Sequence, residues 1–124
     1  MNMESKVLRK ILRLPRGEYY KTHLQIVNAL LPIKLTTKEI EVLAAFMSLD
    51  GDIAKDRFGT SARKIIKKDL KLSDGGLGNY LKAFKEKGFV ITQDELGDIV
   101  NPILSVQQGE QNYMVKLVNL EVLI

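Results

Sequence analysis

The chain has 124 residues, within the size of one folded domain, and its 45% hydrophobic content suffices for a single core without cross-links. It contains no cysteine, which excludes disulfides, thiolate metal sites and cysteine nucleophiles and fits a reducing, cytoplasmic setting. The net charge of +4 is modest but unevenly spread: residues 62–87 carry eight basic side chains (Arg63, Lys64, Lys67, Lys68, Lys71, Lys82, Lys85, Lys87) against Asp69, Asp74 and Glu86, a net of +5, whereas residues 88–112 carry no Lys or Arg and four acids, Asp94, Glu95, Asp98 and Glu110.

Residues 3–14 set Val7, Leu8, Ile11, Leu12 and Leu14 among basic residues, which predicts a short amphipathic helix stopped by Pro15. The segment lacks the uncharged stretch of a signal peptide or membrane span. Residues 18–31 place Tyr20, Leu24, Ile26, Val27, Leu30 and Leu31 at helical spacing, and Pro32 breaks the pattern. These N-terminal helices, within residues 1–35, are the expected dimerisation arm.

Thr36-Thr37-Lys38-Glu39 is a capping box: the Thr36 hydroxyl can accept from the Glu39 amide while the Glu39 carboxylate reaches back to the Thr36 N–H. Ile40, Leu43, Ala44 and Met47 then recur on one face of the helix it starts, with Val42 and Phe46 beside them. Asp50-Gly51-Asp52 reads as a turn, and Phe58-Gly59-Thr60-Ser61 leads into a helix over residues 62–70 whose Ile65, Ile66 and Leu70 can face a core. Its other face is nearly all lysine and arginine.

Leu72-Ser73-Asp74-Gly75-Gly76 makes the next turn. A helix with Leu77, Tyr80, Leu81 and Phe84 follows, ends at Gly88 and gives way to the extended Phe89-Val90-Ile91. Over residues 98–120 the pattern is strand-like, with Ile99-Val100 and residues 103–106 expected to pair with residues 113–118 across the polar loop 107–112.

No catalytic constellation emerges. His23 is the single histidine and lies in an apolar helical stretch; Asp50, Asp52 and Asp56 lack the EF-hand spacing and its closing Glu; Gly75-Gly76-Leu77-Gly78 lacks the Lys-Ser/Thr of a phosphate loop. No enzyme activity, cofactor or metal is expected.

The segment from Leu72 through Gly88 to Ile91 resembles the recognition-helix stretch of winged helix-turn-helix regulators such as the MarR superfamily. There, a turn precedes a helix of the form apolar, polar, polar, apolar, apolar, followed by a basic residue, Lys-Gly and an apolar strand. The opening Leu35-Thr36-Thr37-Lys38-Glu39 is similar to the first helix of such domains and, more distantly, to the LuxR-type opening. Val100-Asn101-Pro102 resembles a stretch of plasmid and phage replication initiators, which implies a mobile-element origin.

The expected fold is therefore mainly α with a small β-hairpin (α+β), in a single domain over residues 1–124: a winged helix-turn-helix over 36–120 preceded by the N-terminal helices. The expected function is sequence-specific binding of double-stranded DNA by a homodimeric transcriptional regulator, nucleoid-associated when bound. By helical spacing, Gly75, Gly76, Gly78, Asn79 and Lys82 face the groove, and Asn79 is suited to bidentate reading of adenine. Ser73 would cap the helix against a phosphate, and Arg63, Lys64, Lys67, Lys68, Lys71 and Lys85 would supply salt-dependent contacts to the backbone.

Two points stay open. The glycines could form a loose first turn of the recognition helix or a turn before a helix that starts at Leu77. The acidic hairpin departs from the basic wings that enter a minor groove, so it could instead meet a protein. The alternatives to a regulator are a winged-helix protein-interaction module in a larger assembly, with its basic face on an acidic partner, or a replication-initiation accessory factor.

Overall fold

A computed structural model describes residues 8–123. Roughly half of the chain is helical, and a small two-stranded antiparallel hairpin makes the architecture α+β. Helix α1 (Arg16–Asn28) starts directly after Pro15, whose carbonyl accepts from the Tyr19 N–H at 2.9 Å. Tyr20, His23, Leu24 and Val27 lie at three- and four-residue spacing and turn one face onto the next helix. Asn28 then holds the loop, donating to the Leu35 carbonyl (3.1 Å) and accepting from the Leu35 N–H (2.7 Å).

Helix α2 (Thr37–Met47) begins at the expected capping box, with the Thr36 hydroxyl accepting from the Glu39 N–H (3.1 Å) and the Glu39 carboxylate accepting from the Thr36 N–H (2.8 Å). It is the central element: Ile40, Val42, Leu43, Ala44, Phe46 and Met47 are all buried, contributing roughly 1.5–3 kcal/mol for each large side chain. At its far end the Arg57 guanidinium donates to the carbonyls of Phe46, Met47 and Leu49 (2.8, 3.0 and 2.9 Å), satisfying acceptors that a helix end leaves open. A single helical turn, α3 (Asp52–Lys55), carries the chain across this end.

Helix α4 (Thr60–Leu70) buries Ala62 and Ile66 and ends at Lys71, which adopts a left-handed conformation (φ 55°) while the Leu72 N–H reaches back to the Lys67 carbonyl at 2.9 Å. Three residues later α5 (Asp74–Glu86) begins, capped by Ser73 and docked through Leu77, Leu81 and Phe84. Gly88, at φ 79°, ends that helix in the left-handed region glycine favours. Strands β1 (Val90–Gln93) and β2 (Gly97–Val100) pair Val90 with Val100 and Gln93 with Gly97.

Beyond the hairpin, Asn101 opens a single 3-10 turn (Pro102–Leu104) that drives Leu104 fully into the core. Its amide donates to the Gly88 carbonyl (2.8 Å) and its side-chain oxygen accepts from the Ile103 N–H (3.0 Å). The Asn-Pro pair therefore has a structural role, stapling the hairpin's exit to the glycine that ends α5. A short helix, α6 (Leu120–Leu123), follows an irregular stretch.

Four expectations need correction. Residues 8–14 of the N-terminal amphipathic pattern are not helical, and residues 3–7 lie outside the described residues; a short isolated helix is marginal in water, and Leu8, Ile11 and Leu12 stay more than half exposed. Helix α1 spans Arg16–Asn28 rather than 18–31, and Ile26 and Leu30 point to solvent. Helix α4 starts at Thr60, two residues before the expected Ala62. The hairpin forms between residues 90–93 and 97–100 around a tight turn, not between 99–106 and 113–118, because Gly97 at φ 70° lets the chain reverse locally.

Candidate nucleic-acid interface

Helix α5 starts at Asp74, so Gly75, Gly76 and Gly78 are all helical, which overturns a start at Leu77. The Ser73 hydroxyl accepts from the Gly76 N–H at 3.0 Å, satisfying one of the amides at the helix start. The buried Leu77, Leu81 and Phe84 fix the rotation of the helix, and its opposite face carries Gly75, Gly78, Asn79 and Lys82, all exposed, with Gly76 at the margin. Asn79 makes no side-chain hydrogen bond among the described residues. Lys82 has only Glu86 at 3.9 Å, one turn on, as an ionic neighbour.

Helix α4 lies beside this face. A shallow groove of about 180 Å³ between the two helices is lined by Arg63 and Lys67 on one side and Asp74, Leu77, Gly78 and Leu81 on the other. Lys64, Lys68 and Lys71 are exposed and form no ion pair among the described residues. Arg63 is exposed too, but its Nε donates to the Phe58 carbonyl at 2.7 Å, which fixes the base of its guanidinium.

Two of the expected phosphate contacts are occupied from within the chain. Lys67 is hydrogen-bonded to the Asp74 carboxylate in the first turn of α5, and that ammonium holds the Asp74 pKa below the usual carboxylate value. Lys85 meets Asp98 of β2 at 2.8 Å. The Lys85 hydrogen bond first, then that of the Thr92 hydroxyl (2.6 Å), keep the Asp98 pKa low, and the positive field of Arg63 adds to them. The Lys85–Asp98 pair thus ties α5 to β2. At the hairpin's tip, Asp94 and Glu95 are exposed and no basic residue stands beside them in the turn.

The far end of α5 is braced differently. Lys87 donates to both oxygens of the buried Glu39 (2.7 and 3.0 Å), the residue that closes the capping box of α2. Burial opposes ionisation of Glu39, but the Lys87 ammonium and the Thr36 amide outweigh it and hold its pKa below the ordinary value. Sequence reasoning missed the acids that engage Lys67, Lys85 and Lys87. The Lys67 partner is only seven residues away and sits in the turn region, whereas Glu39 lies 48 residues from Lys87 and carries no local signal.

His23 has no free nitrogen. The Leu104 carbonyl can only accept, so Nε2 carries a proton and donates to it at 2.8 Å, and Nδ1 accepts from the Tyr113 hydroxyl at 2.6 Å. Among the described residues no group of His, Asp or Glu side chains is arranged to hold a metal ion. No described helix is long and apolar enough to cross a membrane. Comparison with family models found no match, and comparisons with curated proteins and with solved structures found none either.

Proposed function

We propose that this chain is a winged helix-turn-helix protein that binds double-stranded DNA sequence-specifically and acts as a transcriptional regulator. The reading rests on one observation above all: α5 presents Gly75, Gly78, Asn79 and Lys82 to solvent on a helix fixed by its buried face, beside Lys64, Lys68 and Lys71, which form no ion pair among the described residues. A recognition helix needs that combination, with small and polar residues to enter the major groove and cations nearby to meet the phosphates. Element order supports the assignment, since α2, α4 and α5 precede a hairpin in the position of a wing. The resemblance of residues 72–91 to winged-helix regulators adds to it.

The test is fluorescence anisotropy on duplex DNA across a salt series. Affinity should fall steeply with salt, and Lys64→Glu with Lys68→Glu should weaken binding to every sequence while lowering the slope by up to about 2. Asn79→Ala should relax preference at one base pair, by about 1–3 kcal/mol of discrimination.

A protein-interaction module is the second reading, and a specific observation favours it. The wing carries Asp94 and Glu95 at its tip, and Asp74 and Asp98 already occupy two of the lysines. No binding to duplex DNA even at low salt selects that reading and eliminates the regulator.

A further inference from the structure

We propose that the segment 113–118 pairs with the same segment of a second copy of this chain as an antiparallel β-strand centred on Val115, which sets residues 113–117 of the two copies opposite one another. The sequence Tyr-Met-Val-Lys-Leu-Val is rich in residues suited to strands, yet the segment is irregular and has no strand partner. Among the described residues, no backbone group from 106 to 118 is hydrogen-bonded to another backbone group. Met114 is 94% exposed, Leu117 91% and Val115 64%. Unpaired backbone combined with exposed apolar side chains is what strand addition consumes.

The segment is presented from a fixed base. The Tyr19 hydroxyl donates to the Gln107 carbonyl at 2.6 Å, and the Tyr113 hydroxyl donates to His23 of α1 at 2.6 Å. Beyond Tyr113 the chain is exposed through to residue 122.

Self-complementarity selects a second copy as the occupant. A two-fold antiparallel pair keeps each residue on the same face as its mate and so centres on a single residue. Centring on Val115 sets Val115 against Val115 and Tyr113 against Leu117 on one face, and Met114 against Lys116 on the other. Centring on Lys116 would place two ammonium groups opposite each other, which strand pairs disfavour.

The absence of cysteine from the chain makes the register directly testable. In sedimentation equilibrium the full chain should have twice the mass of one copy. Val115→Asp with Leu117→Asp, at exposed positions, should reduce that to one copy while leaving the far-UV circular dichroism of the helices unchanged. Oxidised Val115→Cys should cross-link to a disulfide dimer, because mates in either type of antiparallel pair lie within disulfide reach; Lys55→Cys, on the exposed α3, should not. A wild-type chain of single mass at every concentration overturns the proposal, as does a dimer that survives the double aspartate variant or fails to cross-link through Val115→Cys. None of these readouts involves nucleic acid, so they stand or fall apart from the DNA-binding reading.

Discussion

A glycine within a helix costs up to about 1 kcal/mol relative to alanine, and three of the first five residues of α5 are glycines. The surrounding structure does not require two of them. A Cβ on Gly75 or Gly78 would meet nothing within 4 Å, whereas one on Gly76 would stand 3.1 Å from the Ser73 hydroxyl that caps the helix. Gly75 and Gly78 therefore serve no packing inside the chain, and two accounts of them make opposite predictions. If the bare backbone lets DNA approach closely, Gly78→Ala should stabilise the fold by about 0.5–1 kcal/mol and yet weaken DNA binding several-fold. If the glycines instead keep the first turn loose until DNA orders it, the same variant should raise stability and tighten binding, because part of the ordering cost is removed in advance. Urea midpoints and anisotropy on the same samples decide between them, and Gly75→Ala, nearer the helix end, should show the same signs with smaller size.

At the scale of elements, ties between segments far apart in the chain place the helices, and these were the least legible in the sequence. The capping box of α2 and the punctuation at Gly88 could be read because each acts within a few residues. By contrast, His23 joins α1 to Leu104 and Tyr113 over 81 and 90 residues, and its surroundings suggested only a histidine in an apolar helix. The strap has a pH dependence with a definite sign. Burial lowers the His23 pKa in the folded chain below its ordinary value of 6.5, with the Leu104 hydrogen bond opposing this only in part. As pH falls through 6.5 the unfolded chain takes up the proton first, so stability is complete above that pH and declines below it. Glu39, Asp74 and Asp98 have lowered pKa values, and their contributions are lost only nearer the ordinary carboxylate values of 4.5 and 3.8. The urea midpoint should therefore drop between about pH 7.5 and 5.5 in the wild type, and His23→Gln should flatten that drop while lowering the midpoint at pH 7.5. An equal drop in both proteins would remove His23 as its source.

For the whole molecule, composition disclosed the charge asymmetry but not its cancellation in space. The exposed face of α5 followed from helical spacing because Leu77, Leu81 and Phe84 fix the rotation. The hairpin was displaced because residues 113–118 have strand character but no strand partner among the described residues, while a tight turn offered β1 a nearer one. The same turn brings Asp98 onto Lys85, and the α4–α5 turn brings Asp74 onto Lys67, so two cations of the proposed interface are neutralised in the free protein. Ion pairs at the surface contribute little to stability, so removing the acids should leave the fold intact and change mainly the field. Asp74→Asn with Asp98→Asn should raise affinity for duplex DNA several-fold at low salt. Each lysine released onto a phosphate should also add about 0.9 to the slope of log affinity against log salt, up to about 2 for the pair. Unchanged affinity and slope would place Lys67 and Lys85 outside the contact and confine the phosphate-binding surface to Arg63, Lys64, Lys68 and Lys71. A steeper slope without higher affinity cannot arise from added phosphate contacts alone, and would mean that the two carboxylates also take part in holding α5 and the hairpin in the geometry the DNA requires.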